Sequence, residues 1–334
     1  MANGVVDRLW AGAFSTGAGQ PDAIVTTSGR ITHAGLAGAE LLDLVESAAV
    51  TAMLQTVSGA RRWTIRADQL RLGSVSAVTP GACVYTLPGQ PVFITEFAGS
   101  GPGDRAIADY LGSGFRKQSR RAMKWLEAHA DDVKLERLEG DAAIALLEPI
   151  AELRRERDVA TNRLGPLSGG ALAGPWNSFI IGCAAAGALA VVALWGGGEL
   201  AAYNLAVRDG ETWKVFDGRI RPSQSGASIG RIVDEDMMRW ALADPTCRRI
   251  VWGRGVNSTK TRLANTTIET VILMAASDRR ALVGAFGRSI IRFNLALFRD
   301  RHPGINVAWL PLKRLIARAS PARPGTSPPS PDRL

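Results

Sequence analysis

The segment Arg249–Ala264, RIVWGRGVNSTKTRLA, constrains the fold of this chain more than any other. An apolar, strand-like run (Ile250, Val251, Trp252) stops at Gly253-Arg254-Gly255, and a polar step, Asn257-Ser258-Thr259-Lys260, follows. Helical spacing is expected to resume through Leu263, Ile268, Val271 and Leu273. A strand that ends in glycines and feeds a helix leaves backbone N–H groups and a lysine at the mouth of an α/β sheet, where ligands tend to bind. Arg254, Asn257 and Lys260 are therefore candidate substrate-binding residues.

The elements before this segment point the same way. Leu189–Trp195 (LAVVALW) reads as a short buried strand, and Gly196-Gly197-Gly198 turns the chain into Glu199–Val207. Arg208-Asp209-Gly210 then leads into Thr212–Ile220, and an Asp-Gly pair between alternating runs is a good hairpin signal. The loop Arg221–Arg231 (RPSQSGASIGR) consists mostly of small residues and runs into a helix expected over Ile229–Leu242. Such a loop leaves several N–H groups converging on one spot, and the helix dipole adds partial positive charge there. A pyrophosphate is the natural occupant, with Arg221, Gln224, Ser225, Gly226, Gly230 and Arg231 as its candidate ligands.

The remaining sequence divides into three parts. Residues 1–104 are expected to form an N-terminal α/β lobe, with strand-like pieces at Ala23–Thr27, Trp63–Ala67, Cys83–Leu87 and Pro91–Phe97 and one amphipathic helix over Ala39–Val57. The glycine-rich run 99–104 reads as a linker. Residues 105–305 form the main domain, which opens with a basic helix over Gly114–Ala130, a strand over Val133–Leu138 and a helix over Ala142–Arg157. Residues 306–334 combine a basic amphipathic piece (Val307–Arg318) with a Pro/Ser/Arg-rich tail too poor in apolar surface to order itself.

Charge is uneven: residues 1–110 hold 7 Lys+Arg against 9 Asp+Glu, and residues 111–334 hold 33 against 22. Arg116, Lys117, Arg120, Arg121 and Lys124 make a cationic stripe suited to an anionic acceptor, a membrane surface or nucleic acid. The three Cys and three His residues are scattered without ligand spacing, so no metal site is expected. The uncharged run Phe179–Trp195 is shorter than the roughly twenty apolar residues of a membrane span and splits into a helix end and a strand. The N-terminus lacks the features of a signal peptide, which leads us to expect a cytoplasmic protein, at most peripheral to the inner membrane face.

Four of these pieces together resemble the GNAT acyltransferase superfamily, in particular its FemAB-like, cellulose-biosynthesis-associated bacterial branch. FRKQSRRAMKWL is similar to an S-x-K-x-R-x-x-L-R-R opening, and Gly198–Ala202 to a G-x-x-x-A strand. Ser225-Gly226 stands near an S-P-G step at the start of the cofactor helix, and Trp252–Gly255 with Lys260 resembles D-F-G-x-G-x-x-x-Y-K. Three positions depart from the pattern: the proline of S-P-G is absent, Val251 replaces the aspartate, and Thr259 replaces the tyrosine. The resemblance implies a mixed, mostly antiparallel twisted sheet flanked by helices, an α+β fold with a smaller degenerate N-terminal lobe. It also implies acetyl-CoA or another acyl-CoA as co-substrate and an amine of a cell-envelope or polysaccharide-related precursor as acceptor. Asp217 and Glu199 are then candidate bases and Tyr203 a candidate acid. The alternatives are a FemAB-like transferase drawing on aminoacyl-tRNA, and a catalytically inactive scaffold of a membrane-associated synthase.

Overall fold

The computed structural model describes residues 23–28, 31–36, 47–71, 81–98, 106–160 and 173–301. The expected linker at 99–104, the first turns of the 39–57 helix, and the whole of 306–334 lie outside the described residues. Along the chain come β1 (Ala23–Ser28), β2 (Ile31–Leu36), α1 (Ser47–Val57), β3 (Trp63–Arg71), β4 (Cys83–Pro88) and β5 (Val92–Glu96). Next are α2 (Ile107–Tyr110), α3 (Ser113–His129), β6 (Val133–Leu138), α4 (Gly140–Ile144), α5 (Leu147–Ala160) and α6 (Ala173–Ala185). The last third holds β7 (Leu189–Gly196), β8 (Glu199–Asp209), β9 (Thr212–Ile220), a 3-10 turn (Pro222–Ala227) and α7 (Gly230–Ala243). It continues with β10 (Arg249–Arg254), α8 (Lys260–Leu263), β11 (Thr266–Ile268), β12 (Thr270–Ala276) and α9 (Arg279–Arg301). No described helix is long and apolar enough to cross a membrane.

The strands make two mostly antiparallel sheets, of order β1-β2-β3-β12-β4 and β11-β5-β10-β9-β8-β7-β6. Both lie in a unit spanning Met1–Leu282; α9 runs on from it into a second unit, Val283–Leu334. The first sheet buries one face under α1, whose Val50, Met53, Leu54 and Val57 meet Ile65, Ala67 and Leu70 of β3 and Val271, Leu273 and Ala275 of β12. The spacing of those four helix residues is the one that lines a single helical face.

The second sheet is covered on both faces. Ala190, Val192 and Leu194 of β7 pack with Phe115 and Leu126 of α3 and Ile232, Val233 and Met237 of α7. Leu189, Val191 and Ala193 point the other way, toward Ile150 and Leu153 of α5 and Ile180 and Cys183 of α6. Two-sided cover explains why β7 reads as an unbroken apolar run with no alternation. It also accounts for the long uncharged stretch at 179–195, which is the end of α6 followed by β7.

Several expectations need correction. Helical spacing does not continue through residue 273: α8 is one turn, and the β-branched run that follows makes β11 and β12. The helix expected over 142–157 is two helices, α4 and α5. The segments 1–104 and 105–305 also do not each own a sheet. β5 leaves the N-terminal segment to pair with β10 and β11 in the second sheet, and β12 returns to pair with β3 and β4 in the first. The two crossings run side by side: Gly89 N–H donates to the Thr270 carbonyl at 2.8 Å, and Thr270 Oγ1 donates to the Gln90 carbonyl at 2.9 Å. A Cβ at Gly89 would lie 2.2 Å from Thr270 Oγ1, so only glycine permits this approach.

Candidate functional site

The second sheet contains one parallel pair, β9 with β10, and it is short. Thr212, Trp213 and Lys214 pair with Arg249, Ile250 and Val251, after which the strands separate. β9 stays with β8 as far as Ile220, whereas β10 bends through Gly253 (φ +75°) and Gly255 (φ +88°). A bulge in β9 at Phe216, where Leu205 faces Asp217 but Ala206 faces Val215, adds to the divergence. The gap is a cleft of about 590 Å³ lined by Val215–Ile220 on one side and by Trp252, Gly253, Asn257, Thr259 and Lys260 on the other.

Polar groups reach the cleft from both faces of the sheet. On the α5 face, Asp217 is buried and accepts from Tyr203 Oη at 2.6 Å; it also pairs with Arg154 of α5 and, at 2.9 Å, with Arg219 Nη1. Burial, reinforced by the charge of Asp217, pushes the Tyr203 phenol well above its ordinary range. On the α7 face, Asn204 Nδ2 donates to Asp234 Oδ1 at 2.8 Å. Burial raises the Asp234 carboxyl to about 6, against the opposing effects of the Asn204 hydrogen bond and of Arg231 and Lys260. Gly218 faces Asn204 across the strands and leaves it room, since a Cβ there would lie 2.1 Å from Asn204 Oδ1.

The N-terminus of α7 closes one end of the cleft. Gly230, its first residue, sits so close to β9 that a Cβ would fall 2.5 Å from Ile220 Cδ1. Ser228, just before it, has a left-handed backbone (φ +58°). The serine–glycine step that opens this helix is thus Ser228-Ile229-Gly230, while Ser225 and Gly226 belong to the separate, exposed 3-10 turn. Arg231 lies over the Phe115 ring, 5.8 Å from its centroid, and burial together with the charge of Arg262 lowers its pKa. The N–H groups of the first turn of α7 and the cations Arg231, Lys260 and Arg262 make this end of the cleft favourable for an anion.

Of the residues expected from sequence, Asp217, Tyr203, Gly230, Asn257 and Lys260 come together at the cleft. Asn257 Oδ1 accepts from the Lys260 backbone N–H at 2.7 Å and so fixes the start of α8. Glu199 is exposed at the far end of β8, with Arg221 its partner at 3.4 Å. Arg221 also pairs with Glu156 at 2.7 Å and donates to the Leu200 carbonyl at 3.0 Å, so its guanidinium is engaged beside α5. The Gln224 Oε1 is buried without a hydrogen-bond partner. Arg254 ends β10, and its side chain lies outside the described residues. Sequence reading missed Arg154, Asn204, Arg219 and Asp234. Asn204 and Asp234 did leave a signal, being polar residues within an apolar strand and on the apolar stripe of a helix. Among the described residues no group of three or more His, Cys, Asp or Glu is placed to hold a metal ion.

Residues 113–261 match the family model described as Acetyltransferase (GNAT) domain, which puts a GNAT-type transferase domain on this part of the chain. Solved structures share the fold at low identity. The C-terminal DUF2156 domain of a putative lysylphosphatidylglycerol synthetase from Agrobacterium fabrum matches with a TM-score of 0.51 and 10% identity, covering 80% of this chain and 85% of that one. A conserved protein of unknown function from Bacteroides thetaiotaomicron matches with a TM-score of 0.50 and 12% identity over 76% and 82% of the two chains. FemX gives a TM-score of 0.50 and 9% identity over 75% and 83%. No curated protein matches the chain.

Proposed function

We propose that the protein is an N-acyltransferase that moves an acyl group from acyl-CoA to an amine of a cell-envelope or polysaccharide-related precursor. The observation that carries this reading is the cleft between the diverging β9 and β10, with the N-terminus of α7 and three cations at one end. The donor's pyrophosphate would sit on the first N–H groups of α7, near Arg231 and Lys260. Its pantetheine arm would run between the strands and hydrogen-bond to β9 backbone that β10 no longer covers. That alignment holds the thioester carbonyl for attack by the acceptor amine, and nearby N–H groups stabilise the oxyanion that develops. Asp217 already accepts from Tyr203 and pairs with two guanidinium groups, so in this reading the Tyr203–Asp217 pair holds the wall and aims Arg219.

A thermal-shift titration with acetyl-CoA, longer acyl-CoAs and free CoA tests the donor. A ligand that binds only the folded state raises stability by about 2.7 kcal/mol at a hundred times its Kd. A shift shared by all three compounds, and lost in Arg231→Glu, is the expected result; no shift at millimolar ligand would sink the CoA reading.

One observation favours a second donor, aminoacyl-tRNA. Helix α3 buries Phe115, Ser119, Ala122 and Leu126 and so exposes Lys117, Arg120, Arg121 and Lys124. Arg262 of α8 reaches the same helix at Gln118, 3.4 Å away, which joins this basic face to the cleft. Such a donor requires tRNA binding that weakens steeply with salt, and no binding at low salt would remove it.

A further inference from the structure

We infer that Arg219 selects the acceptor, by pairing its guanidinium with a carboxylate or phosphate that the acceptor carries beside its amine. This inference rests on the transferase reading and adds to it the acceptor's chemistry: an anionic amine rather than a neutral one.

Asp217 does not need Arg219 as a counter-charge. The side chains of Asp217 and Arg154 are each only 5% exposed, and they form a buried ion pair to which Tyr203 Oη donates a hydrogen bond at 2.6 Å. One guanidinium already neutralises one carboxylate there. Arg219 therefore brings a surplus positive charge, and its side chain, 36% exposed, holds that charge at the wall of the cleft. Arg157 and Asp158 of α5 line the same mouth and add one charge of each sign, which leaves the surplus in place. A cation fixed in a concave, partly dry wall favours an anion beside it.

The guanidinium is also held still and only partly used. Nη1 alone makes both of its contacts, with Asp217 Oδ1 at 2.9 Å and with the Gly218 carbonyl at 2.8 Å. Nε and Nη2 have no hydrogen-bond partner among the described residues. Those two nitrogens form the edge that pairs bidentately with a carboxylate or with two phosphate oxygens. Elsewhere in the molecule, Arg137 uses the same edge to hold both oxygens of Asp236, at 2.9 and 2.8 Å.

The donor's pyrophosphate does not supply the missing anion. Side chains alternate along β9: Gly218 faces Asn204 and Ile220 packs against Gly230 of α7, whereas Arg219 pairs with Asp217 on the α5 side. A pyrophosphate on the first turn of α7 lies across the strand from Arg219. A pantetheine arm that enters from α7 and passes between β9 and β10 leaves the α5 side, with Arg219, open to the acceptor.

The test uses the full chain as wild type, Arg219→Lys and Arg219→Met. Acetyl-CoA is the donor, and ethanolamine, β-alanine and O-phosphoethanolamine are the acceptors. The acetyl-CoA thermal shift is recorded first, and amine-dependent thiol release then gives kcat and KM. Wild type should prefer one of the anionic amines over ethanolamine by roughly 10–100-fold in kcat/KM, chiefly through KM. Which one it prefers distinguishes a carboxylate from a phosphate. Arg219→Met should bring that ratio close to one while keeping the acetyl-CoA shift. Arg219→Lys, which has the charge but not the fork, should keep only part of the preference, and it reads the same ratio if Arg219→Met does not fold. Equal use of all three amines by wild type would overturn the assignment. So would an equal fall for all three in Arg219→Met, which is what a merely structural arginine would give, or a full preference retained in Arg219→Lys. A wild type that acetyl-CoA stabilises but that uses neither anionic amine would overturn it too, although the donor site would then stand. Absence of the acetyl-CoA shift in wild type would instead overturn the donor reading beneath it.

Discussion

A methyl group at position 218 would lie 2.1 Å from Asn204 Oδ1 and 3.1 Å from the Tyr203 carbonyl oxygen. Gly218→Ala must therefore push the Asn204 side chain away and break its 2.8 Å bond to Asp234. We expect a loss of about 1–3 kcal/mol in denaturant unfolding, typical of overpacking, together with an upward shift of the Asp234 pKa. The sign of the effect at Asp234 follows from linkage. Its folded pKa of about 6 exceeds the reference 3.8, so the proton is bound more tightly in the folded state. The stability this gives is fully present below 3.8 and is lost as pH rises through about 6, a change of roughly 1–3 kcal/mol. Asp234→Asn removes the charged form, which is why it should stabilise the protein at neutral pH. Single residues were the least legible part of the site. Asp217 and Tyr203 were named from the resemblance as a candidate base and acid, and both line the cleft, but their partner Arg154 comes from α5, and nothing local in the sequence brings α5 to β9. Asn204 could have been noticed as the one amide in LAAYNLAV.

Among the elements, β5, β10 and α8 are joined by a buried relay. Trp252 Nε1 donates to Thr95 Oγ1 at 2.8 Å, and Thr95 Oγ1 donates to the Leu263 carbonyl at 2.6 Å. Thr95→Val keeps the shape but leaves an indole N–H and a carbonyl without partners. A cost of about 2–4 kcal/mol is expected by chemical denaturation. Weaker acetyl-CoA stabilisation should accompany it, since α8 carries Lys260. Strands with strong turn signals were legible in the sequence: β6 and β9 lie where the pattern put them, and β10 ends at the expected glycines. The error after Lys260 has a physical cause. Leu263, Ile268, Val271 and Leu273 fit a helical face only loosely, whereas Thr266-Thr267-Ile268 and Thr270-Val271-Ile272 are β-branched residues that favour extended chain. β2 was not anticipated either, and its ITHAGL carries little apolar alternation.

For the whole molecule, the exchange of β5 and β12 sets what can be separated. Residues 1–104 lack the strand that joins β3 to β4, and residues 105–305 lack the strand between β11 and β10. Expressed alone, each fragment should show little cooperative unfolding and should aggregate through its open sheet edges; mixed, they should recover a single transition. A stable, cooperative 105–305 fragment would contradict this. The mixed, mostly antiparallel fold was legible through the resemblance, while local hairpin and glycine signals carried only the β7–β9 meander and the end of β10. The exchange was not, because which sheet a strand joins depends on contacts between residues 180 apart, such as Thr270 with Gln90. That separation also sets a clock for the growing chain. At roughly 5–20 residues per second, Thr270 is synthesised on the order of 10–40 s after Gln90. For that interval β3 and β4 are on the nascent chain without the strand that will lie between them, so early chaperone engagement on the ribosome should matter more here than for a protein whose sheets close in sequence order.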